Sequence, residues 1–267
     1  MMDTMSYLSI SALLGLLPSV VYAYRAPHGT KTLFWIFMVV AISGTGVLTA
    51  SAFSEGWRTG FAPTLWATIT ATLLIYLPVA LCFREGNKLA AGLLPYLIVL
   101  AVLATIWQNQ PEKPFLTDAP SIWVILHIAF SVTTYAVLTL AAIAGFAAFI
   151  QERSLKTKQQ TFLNTAFPTL SASEEMEARL LQYCAVVLGV GLLTGIAVQF
   201  LQTGSVFEIS HKVLLSVITF IIVLALLIAR KVSGLRGQKA ARLALLAYLM
   251  LTLAYPGVKF VTDVLVV

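Results

Sequence analysis

The chain carries eight separate runs of apolar residues, and each is long enough to cross a lipid bilayer. A transmembrane helix needs about 20 mostly apolar residues to span roughly 30 Å of hydrocarbon. We place the runs at residues 4–24, 32–52, 63–83, 89–107, 121–150, 180–202, 211–229 and 241–262. The runs are continuous rather than alternating, which predicts helices and not the strands of a barrel. The sequence therefore predicts an all-α, polytopic membrane protein with eight transmembrane helices.

The composition excludes the classes of water-soluble protein. Of the 267 residues, 59% are hydrophobic and only 10% are charged, whereas a soluble domain usually carries about 25% charged residues. Long apolar runs also exclude a disordered chain. The net charge of +6 does not indicate nucleic-acid binding, because the basic residues are spread over short loops without interleaved aromatic residues. The predicted partner of most of the surface is the lipid bilayer.

The positions of the basic residues predict the orientation of the chain. Thirteen of the seventeen Lys and Arg residues lie in or beside the loops that follow the first, third, fifth and seventh runs. Cytoplasmic loops are enriched in Lys and Arg. We therefore expect both termini to lie outside, in the periplasm of a Gram-negative cell, with the polar stretch 151–177 inside.

The order of runs and loops suggests two halves. Residues 1–120 form a predicted N-terminal four-helix membrane half, which ends in a loop rich in proline and charge, and residues 121–267 form a second four-helix half. In the polar stretch of the second half, Ser171 and Glu174 stand at the spacing of a capping box. That spacing predicts the start of the sixth transmembrane helix.

The apolar runs offer little conventional chemistry. No run has an Asp, Glu or Lys near its centre, although proton-driven transporters usually keep such a residue there. The motifs of zinc proteases and serine hydrolases are also absent from the sequence. Gly191 and Gly195 lie within an apolar helix, where their spacing indicates a close helix contact. The chain is therefore predicted not to be an enzyme, and a permease is disfavoured.

Histidine is informative because the chain has only three. His28 lies in a short polar loop, where a solvated side chain is expected. His127 and His211 lie near the ends of the fifth and seventh runs, on the same predicted side of the membrane, each within about 12 Å of its helix start. Two imidazoles at matched depth could bind the iron of a haem from opposite faces. The spacing alone equally allows two helix-end histidines that bond to backbone or water.

Trp123 stands four residues before His127, so the two share a helix face. Its indole could stack on a planar ligand beside the histidine. The alternative is a tryptophan of the interfacial aromatic belt. The sequence leaves both readings open.

Several segments of the second half resemble a known family when they are taken in order. They are His127-Ile-Ala-Phe-Ser-Val-Thr-Thr-Tyr135, Gln151-Glu152-Arg153, Ser210-His211-Lys212, Gly234-x-Arg236-Gly237 and Tyr255-x-Gly257-x-Lys259. This order is similar to that of the cytochrome c assembly superfamily, which includes CcsA-, CcmC- and HemX-like proteins. The resemblance covers residues 121–264 and is closest for the YpjD-type inner-membrane branch. The first four runs carry no such segment.

The resemblance implies haem as the cofactor. His127 matches the external axial histidine of the family, His211 matches the His-Lys pair of the YpjD-type branch, and Trp123 and Tyr135 are the expected neighbours of the haem. The implied cofactor is a non-covalent, b-type haem with bis-histidine ligation. The implied function is to handle, export or sense haem in cytochrome c biogenesis at the inner (plasma) membrane, with other maturation proteins as partners. The alternative is a cofactor-free membrane scaffold that regulates a partner enzyme.

The chain also departs from the family members that attach haem to cytochromes. Those members carry a tryptophan-rich external segment, whereas the corresponding loop here, residues 203–210, is short and has Phe207 as its one aromatic residue. The chain also has no CxxC pair to keep substrate thiols reduced. We therefore expect haem binding without cytochrome c synthase activity.

Overall fold

The computed structural model describes residues 4–25, 31–54, 60–108, 122–159, 161–204 and 211–261. Within these ranges the chain is almost wholly helical and has no strand. The helices are α1 (Thr4–Arg25), α2 (Lys31–Ser54), α3 (Phe61–Cys82), α4 (Ala90–Ile106), α5 (Ile122–Thr157), α6 (Phe162–Ala166), α7 (Leu170–Thr203), α8 (His211–Ser233) and α9 (Gly237–Thr252). A 3₁₀ turn, Gly86–Leu89, precedes α4. A π-helical segment, Leu253–Gly257, continues α9 and is followed by a last turn, Val258–Phe260.

Eight of the described helices, all but the short α6, are long and apolar enough to cross a membrane. The prediction of an all-α protein with eight transmembrane helices is confirmed. The predicted division at residue 120 and the predicted loop of His28 lie outside the described residues.

Helix α7 begins about ten residues earlier than the apolar run that predicted it. Thr169 is its N-cap residue, so the predicted capping box of Ser171 and Glu174 is wrong. The helix starts at Thr169 because a carboxylate from another part of the chain accepts a hydrogen bond from the backbone of this residue. The Thr169 backbone N–H donates to Glu85 Oε2 at 3.0 Å, as an N-cap N–H does to the glutamate of a capping box.

Glu85 lies between α3 and α4 and is also paired with Lys88 at 3.2 Å. Burial alone would raise the pKa of the Glu85 carboxyl. The hydrogen bonds from Thr169 and Lys88, together with the charge of Lys88, outweigh burial and hold that pKa below its ordinary value. The ionised carboxylate therefore fixes the start of α7 to the loop after α3.

The start of α9 is held in the same way by carboxylates of two other helices. The Gly237 N–H donates to Glu174 Oε1 at 2.9 Å, and the Gln238 N–H donates to Glu152 Oε2 at 2.6 Å. Gly237 has a φ of +63°, and a Cβ atom there would overlap the Glu152 carboxylate. Free N–H groups at a helix start favour anions. Glu174, predicted to start its own helix, thus caps a neighbouring one.

A buried ion pair lies beside these caps. Glu177 of α7 is fully buried, and its carboxylate is paired with the guanidinium of Arg230 of α8. Gly145 of α5 faces this carboxylate, since a Cβ atom there would lie 2.9 Å from Glu177 Oε1. We call this part of the molecule the Arg230 end of the bundle.

Helix α5 is the central element of the bundle. It packs most extensively against α7, and also against α9 and α3. Its buried face is rich in alanine, including Ala136, Ala141, Ala144 and Ala148. Small residues let helix backbones approach closely in a membrane protein. The close packing of α5 positions the site described below.

Candidate functional site

A cavity of about 270 Å³ lies between α5, α7, α8 and the π-helical continuation of α9. Its lining is amphipathic. The polar lining residues are His127, Ser131, Thr134, Tyr135, Lys212, Ser216 and Tyr255, and the others are Ile128, Leu188, Gly191, Leu192, Leu251 and Ala254. No acidic residue is among them.

The cavity runs from the helix ends into the bundle. His127 lies in the second turn of α5, and Lys212 is the second residue of α8. Thr134 and Tyr135 lie two turns further along α5, which is about 12 Å at 1.5 Å per residue. We call this part of the molecule the His127 end of the bundle, since the Arg230 end lies at the opposite ends of α5 and α8.

The half-buried His127 ring is anchored to α7 through one nitrogen. Nδ1 lies 3.1 Å from the Gly191 carbonyl oxygen and 3.4 Å from Thr194 Oγ1, and Thr194 Oγ1 itself donates to the same carbonyl at 2.9 Å. A carbonyl oxygen only accepts, so this network places the ring proton on Nδ1 and the lone pair on Nε2. Nε2 has no hydrogen-bond partner among the described residues. Histidines that bind metals are usually oriented in this way.

Gly195 allows the ring to lie against α7. A Cβ atom at this position would lie 3.0 Å from His127 Cε1, closer than side chains normally pack. At Gly191 the nearest side-chain atom to such a Cβ is Phe130 Cβ, at 3.6 Å. The close helix contact predicted for these two glycines is present, and it is made with α5.

Thr134 presents a buried hydroxyl to the cavity. Its side chain is 2% exposed, and Oγ1 has no hydrogen-bond partner within the described part of the chain. Most other threonines of the bundle are satisfied, as Thr139 is by the Tyr135 carbonyl at 2.7 Å. A buried hydroxyl without a partner costs about 1–3 kcal/mol. A polar group of a bound ligand would remove that cost.

Three tyrosine hydroxyls meet beside the cavity, one each from α4, α5 and α9. Tyr135 lies 3.0 Å from Tyr96 and 3.0 Å from Tyr248 between hydroxyl oxygens, and Tyr248 donates to Tyr96. Tyr135 also lines the cavity and lies 3.4 Å from Thr252 Oγ1. We call these three residues the tyrosine cluster. No sequence pattern indicates this cluster, because the three tyrosines lie far apart in the sequence.

The π-helical segment forms part of the cavity wall. Pro256 has no N–H, so the usual bond to the Thr252 carbonyl is lost, and the register shifts until the Val258 N–H donates to the Leu253 carbonyl. The shift places Ala254 and Tyr255 in the cavity lining. π-helical segments are frequent at functional sites. The Pro-Gly pair within the last apolar run was the signal for it in the sequence.

The structure brings together two of the four predicted site residues. His127 and Tyr135 line the same cavity, whereas His211 and Trp123 are not among its lining residues. His211 is the first residue of α8 and is exposed. Trp123 lies in the first turn of α5 and is 43% exposed. Of the His211-Lys212 pair, Lys212 is the residue that lines the cavity.

Comparison with known proteins identifies a family. A family model described as Cytochrome C assembly protein matches residues 9–266. The match therefore includes α1–α4, beyond the segments that carried the resemblance. No solved structure matches the chain.

Three individual relatives align with more than half of this chain. An uncharacterized 28.8 kDa protein from Azospirillum brasilense, described by its place in a nifR3-like 5' region, is 44% identical over 262 residues, which cover 96% of this chain and 97% of the relative. The cytochrome c biogenesis protein CcsA of Synechococcus sp. (strain CC9902) is 21% identical over 256 residues, covering 83% and 82%. The inner membrane protein YpjD of Escherichia coli K12 is 26% identical over 170 residues, covering 64% and 62%.

Proposed function

Since the chain belongs to the cytochrome c assembly protein family, we propose that it binds haem non-covalently in the cavity beside His127. The protein is a multi-pass membrane protein, and its family gives it a role in cytochrome c biogenesis. Within that role, we propose that it handles, exports or senses haem at the inner membrane. The observation that carries the proposal is the half-buried His127 ring, with Nδ1 bonded to the Gly191 carbonyl and Nε2 without a hydrogen-bond partner in the described part of the chain.

The residues of the cavity suit the parts of a haem. The Nε2 lone pair of His127 suits the iron, and Leu188, Leu192 and Leu251 suit the apolar macrocycle. Thr134 offers a buried hydroxyl that lacks a partner among the described residues. A volume of about 270 Å³ is slightly below the range of about 300–1,000 Å³ that is usual for small-molecule pockets. We therefore propose that only one edge of the macrocycle lies between the helices.

His211 is proposed as the second residue that would hold the iron. Its neighbour Lys212 lines the cavity, so the start of α8 lies at the cavity edge, from which the exposed imidazole would turn towards the haem. Trp123, in the first turn of α5, is proposed to contact the exposed part of the macrocycle, and Tyr135 the inserted edge. A bound haem would supply redox-active iron, and these residues would bind it, orient it and limit its contact with water.

The absorption spectrum of the detergent-purified protein tests this function. We expect a Soret band and, after reduction, a sharp α-band typical of low-spin haem. Replacing His127 or His211 with Ala should shift the spectrum towards high spin or abolish it, and His28→Ala should leave it unchanged. A spectrum unchanged in the double His127→Ala, His211→Ala variant would refute the site. A protein without any haem spectrum would instead favour the scaffold function.

We further propose that the His127 end of the bundle faces the periplasm. The excess of Lys and Arg in the loops at the other end supports this orientation, with both termini outside. Reporter fusions after Val267 and within residues 156–160 should report opposite sides of the membrane. Activity of a cytoplasm-only reporter at Val267 would contradict the orientation.

The second half of the chain, residues 121–267, is proposed to hold the haem, while residues 1–120 support it. All described lining residues of the cavity belong to the second half, and Tyr96 of α4 contacts the cavity residue Tyr135. We also propose that the protein does not itself attach haem to cytochromes, since it lacks a tryptophan-rich segment. Expressed alone in a host without its own maturation system, it should yield no covalent cytochrome c. Haem-stained holocytochrome that depends on His127 would contradict this.

A further inference from the structure

Lys212 brings a positive charge to the edge of the His127 cavity. It is the second residue of α8, its side chain is exposed, and it is among the lining residues. Within the described residues, its ammonium group has no hydrogen-bond or ion-pair partner. A flexible ammonium group can reach an anion over several ångströms.

Three other lysines of the bundle already have partners. Lys259, also towards the His127 end, donates to Thr64 Oγ1 at 2.9 Å. Lys88 and Lys156 pair with Glu85 at 3.2 Å and Glu152 at 2.6 Å. Lys212 differs from these in lining a cavity with no acidic residue among its described lining residues.

The electrostatics of the cavity favour an anionic group next to Lys212. Among the described lining residues, Lys212 is the one with a permanently charged side chain, and the rest offer hydroxyls, the His127 imidazole and apolar side chains. Lys212 is exposed at the cavity edge, so it can attract an anion there, and added salt should weaken that attraction. Ser216, one turn further along α8, adds a hydroxyl on the same wall.

We propose that Lys212 forms a carboxylate-binding subsite of the cavity, so that the site selects planar, apolar ligands that carry a carboxylate. This inference rests on the proposed haem function, and in a haem the carboxylate is a propionate. Each residue contacts a different part of the ligand: His127 binds the iron, the leucines contact the macrocycle and Lys212 pairs with the carboxylate. Lys212 is a specificity residue in this scheme, and binding through it does not require iron.

Metal-free protoporphyrin IX and its dimethyl ester provide the test, because only the first carries free carboxylates. Both are titrated by fluorescence into the full-length, detergent-purified protein and into Lys212→Gln and Lys259→Gln variants. Lys212→Gln should weaken protoporphyrin IX binding about tenfold, equivalent to about 1.4 kcal/mol, and leave the ester unaffected. Lys259→Gln should change neither affinity. Added salt should weaken wild-type binding of protoporphyrin IX and not of the ester.

The outcomes separate this inference from the function on which it rests. If Lys212→Gln binds protoporphyrin IX as tightly as the wild type, or loses the ester to the same extent, the carboxylate subsite is refuted, while a His127-dependent haem spectrum would still stand. If haem gives no spectrum but protoporphyrin IX binds through Lys212, iron ligation is refuted and the subsite stands. If neither porphyrin binds, both proposals fail.

Discussion

The Nδ1 atom of His127 lies 3.1 Å from the carbonyl oxygen of Gly191, 64 residues further along the chain. This contact joins α5 to α7 and determines which ring nitrogen faces the cavity. Because the acceptor is a backbone carbonyl of a helix, the ring orientation depends on how closely the two helices approach. The glycines of α7 set that approach.

Gly195→Ala should weaken haem binding. Its Cβ atom would lie 3.0 Å from His127 Cε1, so the ring must move by a few tenths of an ångström and lose part of its bond to Gly191. Changes to groups that orient a metal ligand typically cost 10–100-fold in affinity, and we expect about tenfold. Haem titration followed by the Soret band measures this.

Gly189→Ala is the matched control, because its Cβ atom would meet Phe220 at an ordinary 3.5 Å. It lies on the same helix and makes the same chemical change. Equal haem affinities for the two alanine variants would show that His127 does not depend on its contact with α7.

Tyr96→Phe should destabilise the protein while leaving its fold intact. The variant removes the hydroxyl by which α4 joins the tyrosine cluster. Hydrogen bonds between membrane helices average about 0.6 kcal/mol and reach about 1.7, so losing two should cost about 1–2 kcal/mol. Tyr183→Phe, at a 59% exposed position, should stay within about 0.5 kcal/mol. Reversible unfolding in mixed detergent measures both, and equal values would contradict a structural role for the cluster.

Arg230→Ala should be among the most destabilising single changes at its end of the bundle. It leaves the Glu177 carboxylate, which is fully buried, without its counter-ion, and breaking a buried pair costs about 3–5 kcal/mol. The exposed pair of Glu175 and Arg179 supplies the control, since Arg179→Ala should cost no more than about 1 kcal/mol. The free energies of unfolding of the two alanine variants decide between these outcomes.

Glu85→Gln should remove a pH-dependent part of the stability. The pKa of Glu85 is depressed in the folded protein, so its contribution is present above the unfolded pKa, about 4.3, and is lost as pH falls through the folded value. At pH 7 the variant should be less stable by about 0.5–2 kcal/mol, as for a lost helix cap. The difference should vanish in acid. A difference independent of pH would contradict the role of the ionised carboxylate at Thr169.

The transmembrane architecture was predictable because each span is a local property of the sequence. An apolar run long enough to cross a bilayer must form a helix there, and each of the eight described spans overlaps one of the eight runs, although α7 begins about ten residues before its run. The capping-box spacing placed the start of α7 at Ser171, two residues after the observed N-cap Thr169. The capping group itself was not predictable, because the carboxylate that satisfies the Thr169 N–H is that of Glu85, 84 residues away. Glu174 likewise caps Gly237 on another helix.

The candidate site was predictable only in part, because some of its residues are far apart in the sequence and meet only in the folded bundle. His127 and Tyr135 are eight residues apart on one helix, and both line the cavity. Thr134, seven residues after His127, lies on the same face of that helix and lines the cavity too. Lys212 and Tyr255 join them through packing and through the π-helical shift at Pro256, which no periodicity of apolar residues indicates. The ligation by His211 stays a prediction.

The haem spectrum of His127→Gly, recorded with and without added imidazole, tests the central claim most directly. We expect the wild type to bind haem with a defined Soret band, and the variant to lose or shift that band. Free imidazole should restore it, because the small ligand fills the space of the missing side chain and offers the same nitrogen to the iron. If the variant has the wild-type spectrum without imidazole, His127 does not bind haem iron and the account is wrong.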